Sequence, residues 1–456
     1  MFRRVAIIGG GAAGASLLSE LLSRQAPQPL HLDWYTGPGG PGRGVAYATR
    51  SDRHLLNVRA ATMGMYAHRP GSFLEYVRRG NPDIAATDFL PRRLYGDYLE
   101  EETARTLVQA KAHGHDVHVV PFDAGAVVPE RDGVTVFHGE VETRVDAAVL
   151  ALGTLPPRPL PGVSTAALES GRYIVEPWHF LAGLSGDSPP RRVVLIGLGL
   201  TAVDVMLELA ARWPETEFVA MSRHGLLPAA HQQRIGAPFD EGDTLPAAML
   251  DAPEIRTWLR LLREACTQHG EWRSVIDGLR PYTASLWLAL PHEERARFLR
   301  HARWAWDRAR HRMAPQVAAG MAGLQSTGRL RTIPARMRST EIGGDGSLRL
   351  ELIHAGRMLE TVQADLVIQA VGLDTDVVGT AHPLVRQMVT NGHILPDPFS
   401  LGCQAEPDGR LLHDGGPWPR LFALGGLLRG TLWESTAMPE IRQQARQLAD
   451  RLLDRE

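Results

Sequence analysis

A glycine pattern that occurs twice, each time between an apolar run and a helical one, constrains this chain more than any other feature. Val5-Ala6-Ile7-Ile8 leads into Gly9-Gly10-Gly11-Ala12-Ala13-Gly14, and positions 15–22 then carry leucines at helical spacing. This reads as strand, turn, helix. In that setting GxGxxG has a mechanical sense: Gly9 permits the tight turn, Gly11 lets the backbone approach a pyrophosphate, and Gly14 lets helix and strand pack closely. The unpaired N–H groups at Ala12 and Ala13 and the positive end of the helix dipole favour the bound anion. Gly197-Leu198-Gly199-Leu200-Thr201-Ala202 repeats the pattern after an apolar strand at 193–196 and before a helix at 202–211, with Ala202 in place of the third glycine. Two dinucleotide sites in one chain are expected.

The residues at the end of each second strand set what each site holds. An acid that accepts ribose hydroxyls is expected about 20 residues after the glycines. Asp33 lies near that distance, but the alternation Leu30, Leu32, Trp34 ends the strand at Tyr35-Thr36 and puts Thr36 at the acid's position. The ribose would then be held by a hydroxyl or by backbone groups. In the second unit the position is occupied by Ser222-Arg223-His224. An arginine there matches a 2′-phosphate through its planar fork, which favours NADPH over NADH.

Composition narrows the chemistry. Only Cys266 and Cys403 occur, far apart, so there is no CxxC redox pair and no cysteine set for zinc or an iron–sulfur cluster; no metal is expected. Lys111 is the one lysine, in a polar stretch, which argues against Schiff-base chemistry and a P-loop. A formal net charge of −2 provides no field for a polyanion, and no nucleic-acid partner is expected. The start Met1-Phe2-Arg3-Arg4 superficially resembles a signal peptide, but Gly9 to Gly11 interrupt the apolar run. No apolar stretch of about 18 residues appears, so no membrane partner and a cytoplasmic location are expected.

The predicted architecture is α/β: two Rossmann-like dinucleotide-binding domains, the FAD domain split in sequence and the NADPH domain inserted, plus a mostly helical insertion. The expected segments are 1–165 and 365–456 for the first domain, 166–239 and 326–364 for the second, and 240–325 for the insertion. Strands at 146–153 and 365–372, each acidic at the start and ending in glycine, read as crossings between domains.

Several further segments are co-linear with a known family. Gly42-Arg43-Gly44-Val45-Ala46-Tyr47, His54-Leu55-Leu56-Asn57-Val58, Arg93 to Leu99, Ser222 to Gly225, Arg310 to Pro315, and Leu424-Gly425-Gly426 through Arg429-Gly430 to Trp433-Glu434 resemble the FAD-NAD(P)-binding protein family. The resemblance covers nearly the whole chain. It implies FAD on the split domain, NADPH on the inserted one, and a distant relation to class B flavin monooxygenases, some relatives being nitrosuccinate-forming aspartate N-oxygenases. Two departures stand out: Gly426 replaces the acid of the usual C-terminal Gly-Asp, and the Phe-x-Gly-x-x-x-His fingerprint of Baeyer–Villiger enzymes is missing.

The function so implied is an FAD-dependent, NADPH-consuming monooxygenase working through a C4a-(hydro)peroxyflavin. Its expected partners are O2 and a small-molecule substrate, an amine or amino acid nitrogen being one candidate group. A flavoprotein reductase or dehydrogenase with another acceptor, and a non-catalytic FAD/NADPH redox sensor, are the alternatives. Expected FAD contacts are Gly9, Gly11, Ala12, Ala13, Gly14, Thr36, Arg43, Gly44, Ala46, Tyr47, Asn57, Val58, Met63, Gly153, Gly425, Gly426 and Thr436. Expected NADPH contacts are Gly197, Gly199, Leu200, Thr201, Ala202, Ser222, Arg223 and His224. Because the flavin would carry the chemistry, the catalytic candidates are Asn57, Arg308, His311 and Arg312. At helical spacing Trp304, Arg308 and His311 or Arg312 share a face, which suits either an anion or plain solvent.

Overall fold

A computed structural model describes residues 3–24, 28–186, 188–233, 236, 239 and 244–453. The first fingerprint strand, Arg4–Ile8, lies inside a six-stranded sheet. Its order is Arg410–His413, Gly416–Ala423, Ala147–Leu150, Arg4–Ile8, His31–Tyr35, Asp116–Val120. All neighbours run parallel except the edge pair Arg410–His413 and Gly416–Ala423. A parallel sheet needs cover on both faces, which accounts for the continuous apolar runs Val5 to Ile8 and Ala147 to Leu150.

Helices Ala12–Leu22, Arg92–Ala112 and Met438–Leu453 cover one face, burying Leu17, Leu18, Leu21, Tyr98, Leu99, Leu448 and Leu452. Each such side chain contributes roughly 1.5–3 kcal/mol. The other face carries a separate antiparallel meander, Ala126–Pro129, Val134–His138 and Val141–Val145, whose Val127, Val134 and Val136 meet Ala6, Ile8 and Leu150.

The second sheet has seven strands, ordered Leu359–Ala364, Leu348–His354, Leu330–Ile342, Glu217–Ser222, Arg192–Ile196, Leu366–Gln369, Tyr173–Ile174. Helix Leu200–Arg212 packs on it through Val203, Met206 and Leu209, three residues apart on one helical face. The two-domain α/β architecture expected from the repeated glycine motif is therefore present.

Two segments lie elsewhere than the sequence-based boundaries place them. Leu366–Gln369, expected to open the return to the first domain at 365, pairs with Arg192–Ile196 and Tyr173–Ile174 in the second sheet. Helix Pro315–Ser326, expected within the insertion, buries Val317, Met321 and Leu324 in the second domain's core. The expected boundary at 239/240 falls at Asp240, outside the described residues. Helices from Thr244–Asp251 to Arg303–Arg310 form the insertion, whose Trp258, Leu286 and Trp287 pack against Leu401 and Trp433 of the C-terminal segment. Among the described residues, no helix is long and apolar enough to cross a membrane.

Candidate dinucleotide and flavin site

The glycines of the first fingerprint divide by what surrounds them. Gly9 has φ +127°, and a Cβ there would overlap the Ala151 carbonyl. A Cβ at Gly14 would overlap the Gly9 carbonyl, which also accepts the Trp34 indole N–H at 3.0 Å. Both are glycine because the protein leaves no room. A Cβ at Gly11 would meet only Gly44, in ordinary contact with its Cα at 3.5 Å and its N at 4.0 Å. Gly11 is thus spared a side chain on its open side, where helix Ala12–Leu22 begins with no side-chain cap. An open glycine at an uncapped helix start fits a pyrophosphate.

Asp33 is committed elsewhere: its carboxylate pairs with Arg4 at 2.9 Å and lies 3.5 Å from His118. Thr36 follows the strand end, buried, with its hydroxyl 3.3 Å from the Val120 and Gly37 carbonyls. Arg43 ion-pairs with Asp97 and with Glu100 (2.6 Å), so its charge ties the loop to helix Arg92–Ala112. Gly44 to Tyr47 form a short helix beside Gly11, with Ala46 exposed and the Tyr47 ring 4.6 Å from Tyr95. Asn57 and Val58 are half-buried and Met63 is buried.

At the same C-terminal end of the sheet, Gly153 (φ +71°) and Gly425 (φ +81°) bring two turns together, and a Cβ at Gly426 would overlap the Gly153 carbonyl. That contact is a steric reason for the glycine that replaces the usual acid. Gly153, Gly426 and Thr436 line one cavity.

The second fingerprint repeats the first. Gly197 has φ +121° with its Cβ position blocked by the Ala370 carbonyl, whereas the Cβ position of Gly199 is open. Helix Leu200–Arg212 also starts uncapped, with Leu200 and Thr201 in its first turn and Ala202 buried. Arg223 has no carboxylate within ion-pair distance among the described residues. Burial and the charges of Arg336 and Arg303 push its pKa down. Such a cluster suits a phosphate. Next to it the His224 ring stacks on Trp304 at 4.3 Å, and the Ser222 hydroxyl accepts the Gly225 N–H.

The remaining candidates do not gather on one face. Arg308 is exposed and donates to the Leu227 carbonyl at 3.2 Å. Helix Arg303–Arg310 ends before His311, which lies 3.6 Å from Asp307 and 4.0 Å from Glu434. Arg312, 2% exposed, turns away to pair with Asp277.

Sequence reasoning missed the residues that bind the parts together. His231, its pKa pushed down to about 4 by burial and Arg312, donates from Nε2 to the Asn57 carbonyl at 3.1 Å. Arg92 of the first domain pairs at 2.9 Å with Asp204 of the second, whose pKa burial pushes up to about 6 against the pull of Arg92. Trp433 adopts φ 59° and ψ −64°, with the Glu434 N–H donating to the Leu432 carbonyl at 2.7 Å. This γ-turn costs on the order of 1–3 kcal/mol. Stacking of Trp433 on Trp287 at 4.9 Å and edge contact with Phe298 at 5.1 Å offset it. Glu434 accepts from the Trp306 indole at 3.0 Å and meets Arg310 at 3.3 Å. The one available signal was the Trp433-Glu434 pair at the end of the last co-linear segment.

The chain is similar to known proteins. Residues 6–155 match the family described as FAD-NAD(P)-binding. The L-aspartate N-monooxygenase (nitrosuccinate-forming) of Streptomyces davaonensis is 27% identical over 285 residues, 52% of this chain. The match spans 43% of that relative's own length, less than half of it. Among solved structures, ornithine N-hydroxylase of Kutzneria sp. 744, with reduced FAD, NADP+ and L-ornithine, has a TM-score of 0.64 at 17% identity over 99% of both chains. Reduced ornithine hydroxylase of Pseudomonas aeruginosa has a TM-score of 0.67 at 17% identity, again over 99% of both. These structures share the fold of this chain.

Proposed function

We propose that this chain is a cytoplasmic, FAD-dependent and NADPH-consuming monooxygenase that oxygenates an amine or amino acid nitrogen. One observation carries the reading. Two open glycine cradles sit at the C-terminal ends of parallel strands, and their blocked glycines rest on Ala151 and Ala370, where the two interdomain linkers begin. Those linkers meet at the Leu155–Asp374 bridge. Both sites therefore open toward one seam, the arrangement a hydride donor and acceptor need. FAD, when bound, would accept hydride from NADPH and activate O2.

The chain's own part is to hold and orient. Gly11 and the start of helix Ala12–Leu22 would receive the FAD pyrophosphate, with Gly44 to Tyr47, Asn57, Val58 and Met63 on one side and Gly153, Gly425, Gly426 and Thr436 on the other. Gly199 and the start of helix Leu200–Arg212 would receive the NADPH pyrophosphate and Arg223 its 2′-phosphate. The Arg92–Asp204 pair and the Ser51 hydroxyl bonded to Glu208 keep the two domains in register. Nitrogen as the oxygenated atom is supported by the activity named for the Streptomyces davaonensis relative. The balance is one amine, one O2, one NADPH and one proton giving one hydroxylamine, one water and one NADP+.

The test uses 18O2, NADPH and a panel of L-amino acids and amines, with products read by mass spectrometry. One substrate gaining a single 18O atom per NADPH consumed is the expected result. Complete conversion of O2 to hydrogen peroxide with every compound would make the chain a reductase. Failure to consume NADPH at all would point to the sensor.

A further inference from the structure

If the chain is a monooxygenase, as proposed above, one half-buried cation beside the flavin positions has no ion-pair partner among the described residues. Arg429 lines the cavity shared by Gly153, Gly426 and Thr436. Its guanidinium lies 5.0 Å from the Trp433 ring, and that of Arg303 lies 5.7 Å from the same ring. Arg429 makes no ion pair among the described residues, and its Nε is sealed from solvent without an acceptor. The carboxylates nearest to it turn to other groups, although one oxygen of Asp307 is left without a hydrogen-bond donor and its charge and that of Glu434 partly offset the cation. Glu434 is held by Trp306 and Arg310, Asp307 lies 3.4 Å from Arg303, and Asp374 of the same cavity is bound by Arg158 at 2.6 Å.

An arginine does not shed its proton to escape such a place, so the energetic demand is for an anion. Burial and the nearby Arg303 charge push its pKa down, a sign that positive charge here is undercompensated. The indole of Trp433 covers a face of the guanidinium and leaves its N–H edge, which matches a carboxylate's two oxygens. The strained turn at Trp433 fixes that indole, so the cation is preorganised.

We propose that Arg429 receives the carboxylate of the substrate, so that the chain acts on carboxylate-bearing amines and discriminates against amines that lack the charge. The inference deepens the monooxygenase reading and rests on it.

The test titrates FAD-loaded wild type, Arg429→Gln and Arg429→Lys with the L-amino acids and with their carboxamides, following the flavin absorbance change. NADPH affinity is measured in parallel. The expected result is that at least one amino acid binds wild type more than tenfold better than its carboxamide. Arg429→Gln should then weaken that amino acid more than tenfold while leaving the carboxamide and NADPH within threefold. Arg429→Lys should restore part of the loss.

Equal weakening of amino acid and carboxamide, no weakening, a loss confined to NADPH, or no amino acid binding wild type would each overturn the assignment. The two readings fail separately. Arg429-dependent amino acid binding in a protein whose flavin NADPH cannot reduce would retain the anion site and sink the monooxygenase. Equal oxygenation of amino acids and carboxamides would do the reverse.

Discussion

Glycines of one motif differ at the scale of single residues. Gly11→Val should leave the fold intact, because its Cβ position is 3.5 Å from the nearest atom, yet abolish flavin retention by filling the cradle. Gly9→Val combines φ +127° with a blocked Cβ position and should cost the protein its folded state. Flavin absorbance and circular dichroism separate the two, and a fully yellow, folded Gly11→Val would move the pyrophosphate elsewhere. Arg223→Ala should weaken NADPH binding by about 1.5–3 kcal/mol, the range for a lost charged hydrogen bond, and leave NADH nearly unchanged. Equal effects in titrations with the two nucleotides would remove the reason for naming NADPH. The glycines were legible because turn geometry is encoded locally. Arg429 and Glu434 were not, since their meaning depends on partners such as Arg303 and Trp306 that are more than a hundred residues away in sequence. Asp33 shows the converse: spacing made it a ribose candidate, while Arg4, beside it in the sheet, claims its carboxylate.

Elements were read well where one period dominates, as in Arg4–Ile8, Leu200–Arg212 and the closing helix Met438–Leu453. Assignment to a domain was harder. Leu366–Gln369 is a short buried strand, and four buried residues carry no information about which of two sheets they join. Helix Pro315–Ser326 follows a run of insertion helices without a break in composition, and only its packing against helix Leu200–Arg212 reveals its domain. That same helix supplies the domain seam through Asp204. Arg92→Leu should strand the Asp204 carboxylate in a buried site and lower unfolding free energy by about 3 kcal/mol. The double variant Arg92→Leu/Asp204→Leu should recover much of that loss. Denaturant titration checks both, and a neutral Arg92→Leu would show that the pair does not hold the seam.

Seams matter most for the molecule as a whole, because both proposed cofactor sites would open on one. His54 sits at this junction, 3.8 Å from Glu208 and in edge contact with Trp178, and burial pushes its pKa down to about 4 from 6.5. His231 at the Asn57 contact is lowered likewise, to about 4. A histidine lowered in the folded state is protonated first in the unfolded one. Its stabilisation is complete above about pH 6.5 and is lost as pH falls toward 4, on the order of 3 kcal/mol for His54. Denaturation midpoints should therefore drop between pH 6.5 and 5, and less steeply in His54→Asn; a flat profile there would mean both rings titrate normally. The shared seam implies that the two dinucleotide sites act in one cycle. This is tested most directly by mixing the FAD-loaded protein anaerobically with NADPH, then with O2, in a stopped-flow spectrometer. NADPH should bleach the flavin, and after O2 a spectrum neither oxidised nor reduced should persist before the yellow colour returns. Flavin that stays oxidised in excess NADPH, with an amino acid substrate also present, would contradict it.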